Sequence, residues 1–444
     1  MAWQIVIAGG GFGGLYAARK LERALPPNSA RITLVNDTNH FLFTPLLPGA
    51  GGGTLEPRHV VVPLRQALHR TDLRVATVLG ANPERNCLLV DTVEGHSEEL
   101  RYDHLLVALG SISRTLPIPG LAENAVGFMT LPEAISLRNR VVRSLEAAET
   151  LEDPARRESY LNFVFVGAGY AGVEGLAELQ DFAADIIDLY PRCRMQGMRW
   201  ILAEREPQIM PEVPASLADF AVRELRRRGI DVRTGTSLEE VTASTARLSD
   251  GEVVATRTVA WTAGVRPHPV VERLGLPLAH GRIVTDRYCQ VQGFDNVWAV
   301  GDAAAVPDPG ARRKKPSPPT AQHGMRQGKV AANNIAAAIG RGRRRSFNYR
   351  TLGVFVDMGR RQAVAQTVGI KWRGAFAWFL ARTYHLFLMP GLGRRARLLI
   401  DWNVGLFFGR DASELGQLGH PPRLEEHSAG GTPVQTARGS AAPR

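Results

Sequence analysis

Two glycine-rich turns constrain this chain more than any other feature. Gly9-Gly10-Gly11-Phe12-Gly13-Gly14 follows the apolar run from Gln4 to Ala8, and Gly167-Ala168-Gly169-Tyr170-Ala171-Gly172 follows the run from Asn162 to Val166. One such G-x-G-x-x-G is a weak signal, because glycines collect in many tight turns. Here both follow a β-branched strand pattern and open a helical one. In that setting the first glycine allows the turn, the second lets the backbone approach a pyrophosphate, and the third lets helix and strand pack closely. The phosphates then rest on free N–H groups at a helix N-terminus. Two turns in one chain predict two dinucleotides, one passing a hydride to the other. A nicotinamide and a flavin are the natural pair.

The pattern around the first turn reads as strand (Gln4 to Ala8), helix (Gly13 to Leu25) and strand (Arg31 to Val35), with a further buried strand at Leu105 to Leu109. The second unit repeats the plan: strand Asn162 to Val166, a helix from Gly172 to about Tyr190, and strand Arg199 to Ala203. More strands are expected near Asp231 to Thr234, Val259 to Thr262 and Val297 to Val300. This alternation predicts an α/β protein with two nested Rossmann-like domains and a C-terminal membrane-associating α segment. The expected division is 1–120 and 281–345 for the first dinucleotide domain, 121–280 for the second, 346–418 for a C-terminal region and 419–444 for a disordered tail.

A chain of 444 residues exceeds one ordinary core, and 44% hydrophobic with 22% charged residues suits a soluble globular protein. Cys87, Cys193 and Cys289 are far apart and form no C-x-x-C pair, so neither a disulfide framework nor a metal site is expected, and a reducing compartment fits. The N-terminus enters a strand at once without a secretory leader, which predicts retention in the cytoplasm. Net charge is +11, but residues 1–300 carry 31 Lys+Arg against 35 Asp+Glu while residues 301–444 carry 23 against 8. The basic excess lies in the last third, where it could attract anionic lipid, nucleic acid or an acidic partner. Ala311 to Pro319 reads as a basic, proline-broken surface loop.

Several residues then carry chemistry. Glu204 follows the strand Arg199 to Ala203, where a carboxylate can bind both ribose hydroxyls and repel a 2′-phosphate, although Arg205 beside it can accommodate one. Glu174 is expected in the first turn of the second dinucleotide helix, where a carboxylate also offsets the helix dipole by about 0.3 to 1 kcal/mol. Val297-Trp298-Ala299-Val300-Gly301-Asp302 is an apolar strand ending in Gly-Asp, whose Asp302 could accept a hydrogen bond from a cofactor hydroxyl.

Together the turns, His40-Phe41-Leu42-Phe43-Thr44-Pro45-Leu46-Leu47, Trp261-Thr262-Ala263-Gly264, Val300-Gly301-Asp302-Ala303-Ala304 and Pro319-Thr320-Ala321-Gln322 resemble the type II NADH:quinone oxidoreductases, single-subunit and non-pumping, up to about residue 418. The resemblance implies non-covalent FAD on Gly9, Gly11, Gly14, Gly301 and Asp302, and NADH on Gly167, Gly169, Gly172, Glu204 and Gly264. Thr44, Pro45, Leu46, Ala321, Gln322 and Gln327 would line the flavin ring and the quinone site. Asn36 and Asp37 stand where the family often has an acid on the flavin's ribose. Gly324 replaces an alanine of the family pattern, with His323 and Arg326 beside it. The resemblance also gives Glu174 a role in orienting the nicotinamide or relaying protons, and Gln322 one in hydrogen-bonding a quinone carbonyl.

Lys371 to Met389 is the most aromatic stretch, but Arg382, His385 and Pro390 break a run that would need about twenty apolar residues to cross a bilayer. Trp372, Phe376 and Phe379 fall at helical spacing and Arg394, Arg395 and Arg397 follow, which suits a surface helix drawn to anionic lipid through residues 371–410. A domain core or a homodimer face would suit the same apolar stripe. The resemblance favours the membrane, and with it peripheral attachment at the cytoplasmic face. Two alternatives remain open. One is a flavin reductase with another acceptor, such as sulfide with quinone or an electron-transfer protein. The other is a binding flavoprotein like apoptosis-inducing factor, with its basic third on nucleic acid. The missing cysteine pair argues against sulfide, and the aromatic segment argues for quinone.

Overall fold

Residues 2–310, 315–349, 351 and 353–414 are described by the computed structural model. Residues 311–314 of the expected basic loop and the whole expected tail lie outside the described residues.

The first unit is built on a seven-stranded sheet in the order Val297–Ala299, His104–Val107, Trp3–Ala8, Ala30–Asn36, Thr71–Asn82, Cys87–Thr92, Ser97–Arg101. Its first five strands run parallel. Ile5, Ile7, Leu105 and Leu106 have no exposed surface, as expected of parallel strands covered on both faces. The remaining strands are antiparallel hairpins. They escaped the sequence reading because their burial alternates and the last, Ser97–Arg101, has no buried residue.

The second unit holds five strands, all parallel, in the order Ala125–Gly127, Thr258–Trp261, Asn162–Val166, Arg199–Glu204, Ile230–Thr234. The chain enters it after Ser111–Ser113 and leaves it through Val265–Pro267. These two short strands pair antiparallel, with Val265 opposite Ser113. Val297–Ala299 then returns to the first sheet beside His104–Val107, so the second unit is nested within the first.

The C-terminal part adds an element absent from the sequence reading, a three-stranded antiparallel sheet of Gly353–Asp357, Ala363–Thr367 and Ile370–Arg373. Helices Gly374–Leu388 and Leu392–Phe407 follow. Trp372, expected in helical register with Phe376 and Phe379, ends the last strand instead, where its indole N–H donates to Thr367 Oγ1 at 2.8 Å. Phe376, Phe379 and Phe387 on one helix, and Leu392, Ile400 and Phe407 on the next, are exposed. Among the described residues no helix is long and apolar enough to cross a membrane.

A buried ion cluster fastens this part to the helix Tyr170–Ile186. Arg410 lies 2.8 Å from Asp181, 3.5 Å from Glu178 and 3.3 Å from Asp185, and Arg360 donates to Asp181 at 2.7 Å. Arg228 and Arg382 approach Asp181 and Asp357 at 3.9 Å. Removing one member of such a set leaves a buried charge uncompensated, which costs about 3–5 kcal/mol. Glu178 is the most strained partner. Burial pushes its carboxyl up to about 7, against the pull of Arg410, with the Asp357 charge adding to the rise and Arg382 opposing it. A carboxyl whose pKa is raised by folding stabilises the protein below its unfolded value near 4.5, and that contribution is lost as pH rises through 7. In Glu178→Gln this loss is absent. The melting temperature of the wild type minus that of the variant should therefore be smaller at pH 8 than at pH 5. A pH-independent difference would mean that Glu178 does not hold its proton in the fold.

Candidate functional site

The helix Phe12–Ala24 starts at Gly11, and Tyr170–Ile186 starts at Gly169. Neither has a side-chain cap or an acidic residue in its first turn. Their leading N–H groups are left for a ligand, with the positive end of each helix behind them. The three glycines of each turn divide the work. Gly9 and Gly167 adopt φ of +104° and +99°, a region that side chains avoid. A Cβ on Gly14 would stand 1.8 Å from Gly9 O, and one on Gly172 1.9 Å from Gly167 O, so the helix could not close on the turn. A Cβ on Gly11 or Gly169 would meet nothing within 4 Å. No protein atom requires glycine there, and the open space suits a diphosphate held against the backbone.

The strand-end residues occupy equivalent places over the two turns. Asn36 Oδ1 accepts from Gly10 N–H at 2.7 Å, and Glu204 Oε2 accepts from Ala168 N–H at 2.6 Å. Glu204 Oε1 also accepts from Glu206 N–H at 2.9 Å. Arg205 turns to Glu206, 2.9 Å away at the surface. Asp37 is exposed and outside the cleft, so of the two expected ribose residues only Asn36 faces it.

A cleft of about 560 Å³ runs from the first glycine turn to the N-terminus of the second dinucleotide helix. It brings together Gly9, Gly11, Asn36, Thr44, Pro45, Glu174, Gly301, Asp302, Ala321 and Gln322. Gly167, Gly169, Gly172 and Glu204 form the second turn, whose Tyr170 and Ala171 reach this cleft. Four expected lining residues are elsewhere. Gly14 is used up in packing its helix, and Leu46 is buried in the core while Leu47 and Pro48 line the wall. Gly264 only turns the chain, at φ +93°, and Val265 takes the lining place. Gln327, expected at the quinone site, is 2% exposed and its Oε1 accepts from Gly301 N–H at 2.8 Å. It props the Gly-Asp turn from below.

The polar groups of the cleft are tuned by burial. Glu174 sits in the second turn of its helix and not the first, so helix-dipole compensation does not explain it. Its Oε1 accepts from Asp357 N–H at 2.9 Å. Burial, then the Asp357 and Glu178 charges, hold its carboxyl well above the usual range. Asp302 Oδ2 accepts from Ser111 Oγ–H at 2.7 Å, and burial pushes its carboxyl up against that bond and the Arg282 charge. His385 comes from the helix Gly374–Leu388 and was not anticipated. Burial pushes it down to about 4, and it packs as a neutral ring at 6.4 Å from Phe43 and 6.1 Å from Phe355. Ser111 and Tyr170 were within reach of sequence reasoning, one directly after a strand-ending glycine and the other inside the second turn. Phe355, Tyr384 and His385 carry no motif.

The profile of the Pyridine nucleotide-disulphide oxidoreductase family matches residues 3–328. The Type II NADH:quinone oxidoreductase Ndh of Mycobacterium tuberculosis is 31% identical over 422 residues, covering 90% of this chain and 87% of that protein. The chain belongs to the type II NADH:quinone oxidoreductases. A Probable NADH dehydrogenase of Dictyostelium discoideum is also 31% identical, over 92% of this chain and 91% of its own. The structure of NDH2 from Plasmodium falciparum in complex with NADH superposes with a TM-score of 0.84, over 93% of this chain and 100% of that one, at 18% identity. The fold is therefore shared well beyond sequence likeness. The disulphide in the wider family's description has no counterpart here. All three cysteines are free and buried, none lines the cleft, and burial pushes the Cys289 thiol far up.

The division of labour among the glycines can be checked by substitution. Gly11→Ala should fold and melt like the wild type once both are stripped of flavin, yet retain at least tenfold less FAD. Gly14→Ala should lower the melting temperature of the stripped protein itself. Equal behaviour of the two variants would contradict the geometry of the turn.

Proposed function

We propose that the chain oxidises NADH at the second glycine turn and passes two electrons through FAD to a membrane quinone, without pumping protons. The observation that carries this reading is one cleft joining the first glycine turn, the second dinucleotide helix with Glu174, and the Ala321-Gln322 helix start. When bound, the flavin accepts a hydride from NADH and releases electrons to the acceptor. Residues 1–120 with 281–345 hold FAD through Gly9, Gly11, Asn36, Gly301 and Asp302, and the backbone packed by Gly14. Residues 121–280 hold NADH through Gly167, Gly169, Gly172 and the Glu204 carboxylate. Thr44, Pro45, Ala321 and Gln322 line the flavin and quinone ends of the cleft.

A hydride brings two electrons and one proton, whereas a quinone takes up two of each, so one proton per turnover comes from water. Glu174 places a carboxyl inside the cleft whose raised pKa favours holding a proton, and Gln322 supplies an amide donor that cannot itself release one. The apolar walls from Phe43, Phe355 and Leu388 exclude bulk water from the reacting groups.

The acceptor's solubility calls for attachment to a bilayer. The exposed apolar residues of the two C-terminal helices, with Arg394, Arg395 and Arg397 beside them, suit peripheral binding to anionic lipid through residues 371–410. The cytoplasmic face is the assigned side, and a second copy of the chain could share this surface. A sulfide:quinone reaction is disfavoured, because none of the buried cysteines reaches the cleft to take up sulfur from a sulfide donor.

Anaerobic NADH should bleach the flavin absorbance of the purified protein, and a soluble quinone analogue should restore it. In Glu174→Gln the restoration by quinone should slow by at least tenfold while the flavin stays bound. Bleaching without restoration in the wild type would remove quinone as the acceptor.

A further inference from the structure

The acceptor end of the cleft contains a hydrogen-bond arrangement that goes beyond the lining role of Gln322. The Gln322 side-chain Nε2 lies 3.3 Å from Gly353 O, and the Tyr349 hydroxyl is hydrogen-bonded to Gln322 Oε1. A backbone carbonyl only accepts. Turning the amide over would set Oε1 against Gly353 O, two acceptors in contact, so Gly353 fixes which end of the amide is which. Oε1 must then face Tyr349, and the tyrosine must donate. Tyr349 is itself held firmly. It is 8% exposed, the Arg326 guanidinium lies over its ring at 3.9 Å, and His323 meets the ring edge-on at 5.1 Å. Arg326 Nη1 also donates to the backbone carbonyl of Gln322 at 3.0 Å, closing the loop.

We propose that Tyr349 is a positioning residue that locks the Gln322 amide as a hydrogen-bond donor toward the cleft, so that the site favours an oxidised, carbonyl-bearing acceptor over its reduced, hydroxyl-bearing product. The inference rests on the quinone reading above and deepens it. Gln322 Nε2 carries two hydrogens, of which one makes the long bond to Gly353 O and the other has no partner among the described residues. A quinone carbonyl is a good acceptor for that hydrogen. A quinol oxygen is a weaker acceptor, and its own O–H has to share Oε1 with the Tyr349 hydroxyl. The arrangement therefore loosens its hold when the substrate becomes product. Arg326 and His323, beside the Gly324 that replaces an alanine of the family pattern, act here as supports for the tyrosine ring.

The test uses the FAD-loaded enzyme with a short-chain benzoquinone and the corresponding quinol. Three quantities are measured for the wild type and Tyr349→Phe: KM for the quinone, the inhibition constant of the quinol, and the flavin absorbance change on titrating quinone without NADH. In the wild type the quinone should bind more tightly than the quinol. In Tyr349→Phe that preference should shrink by about tenfold, the size expected for losing one oriented hydrogen bond. KM should carry most of the change, with kcat altered much less, and anaerobic bleaching by NADH should keep its wild-type rate. An unchanged preference in a folded Tyr349→Phe overturns the inference and leaves the quinone reading intact. If that variant does not fold, Arg326→Gln, which keeps the hydroxyl but removes the cover over the ring, decides: a smaller preference supports the inference and a wild-type preference overturns it. A wild type that neither binds nor reduces quinone overturns both.

Discussion

The contact between the carbonyl of the first glycine and the α-carbon of the third, made once in each half of the chain, is the constraint from which the rest follows. At 1.8 and 1.9 Å from a notional Cβ, it brings each helix down onto its strand closely enough for the helix end to face a ligand. The same economy of space recurs where the helix Ala321–Ala338 crosses the first dinucleotide helix. A Cβ on Gly328 would come within 2.1 Å of Gly13 O, so glycine at that crossing is what lets the two helices touch. That crossing brings Ala321 and Gln322 to the cleft. The departure at Gly324 matters less, since its notional Cβ meets Phe12 only at an ordinary 3.6 Å and alanine would fit there.

The helix that presents one face to the nucleotide carries on its next turns the acids that hold the C-terminal part. Glu174 receives an N–H from Asp357, and Asp181 two turns further on receives Arg360 and Arg410. A second clasp ties the last helix to the first unit: His59 Nδ1 lies 2.6 Å from Asp401 Oδ2, which also accepts from Glu56 N–H at 3.1 Å, while Arg394 donates to Arg58 O at 2.6 Å. The helices with the exposed apolar faces are thereby fixed in position relative to both dinucleotide units.

Most of the central architecture was legible in the sequence, because buried parallel strands need continuous apolar runs and glycine turns need glycine. Trp3–Ala8, Asn162–Val166 and Arg199–Glu204 lie within a residue or so of where those runs placed them. The hairpin arm and the C-terminal sheet were not legible, since half-exposed strands alternate in a way that polar loops also do. Gly9, Gly11 and Asp302 stood out in the sequence, and the cleft brings the three together. Gln327 and Asp37 show the limit. A glutamine in a motif can serve the ligand or the backbone beneath it, and two adjacent polar residues at a strand end point to opposite sides. Phe355, Tyr384 and His385 reach the cleft only through long-range packing that no local pattern records.

The pairing of Val265 with Ser113 has a further meaning for the history of such a chain. The inner unit leaves the outer one and comes back to it across a single strand spacing of about 4.8 Å. A module with its two ends that close together can be spliced into a loop of another without pulling its host apart, because the host has only to bridge the gap it already had. The outer unit's sheet is likewise completed by Val297–Ala299 beside His104–Val107, as though the intervening 189 residues were one long loop. The covalent order of the chain is thus that of one unit set inside another, with a hydrogen-bonded seam that leaves the host sheet whole.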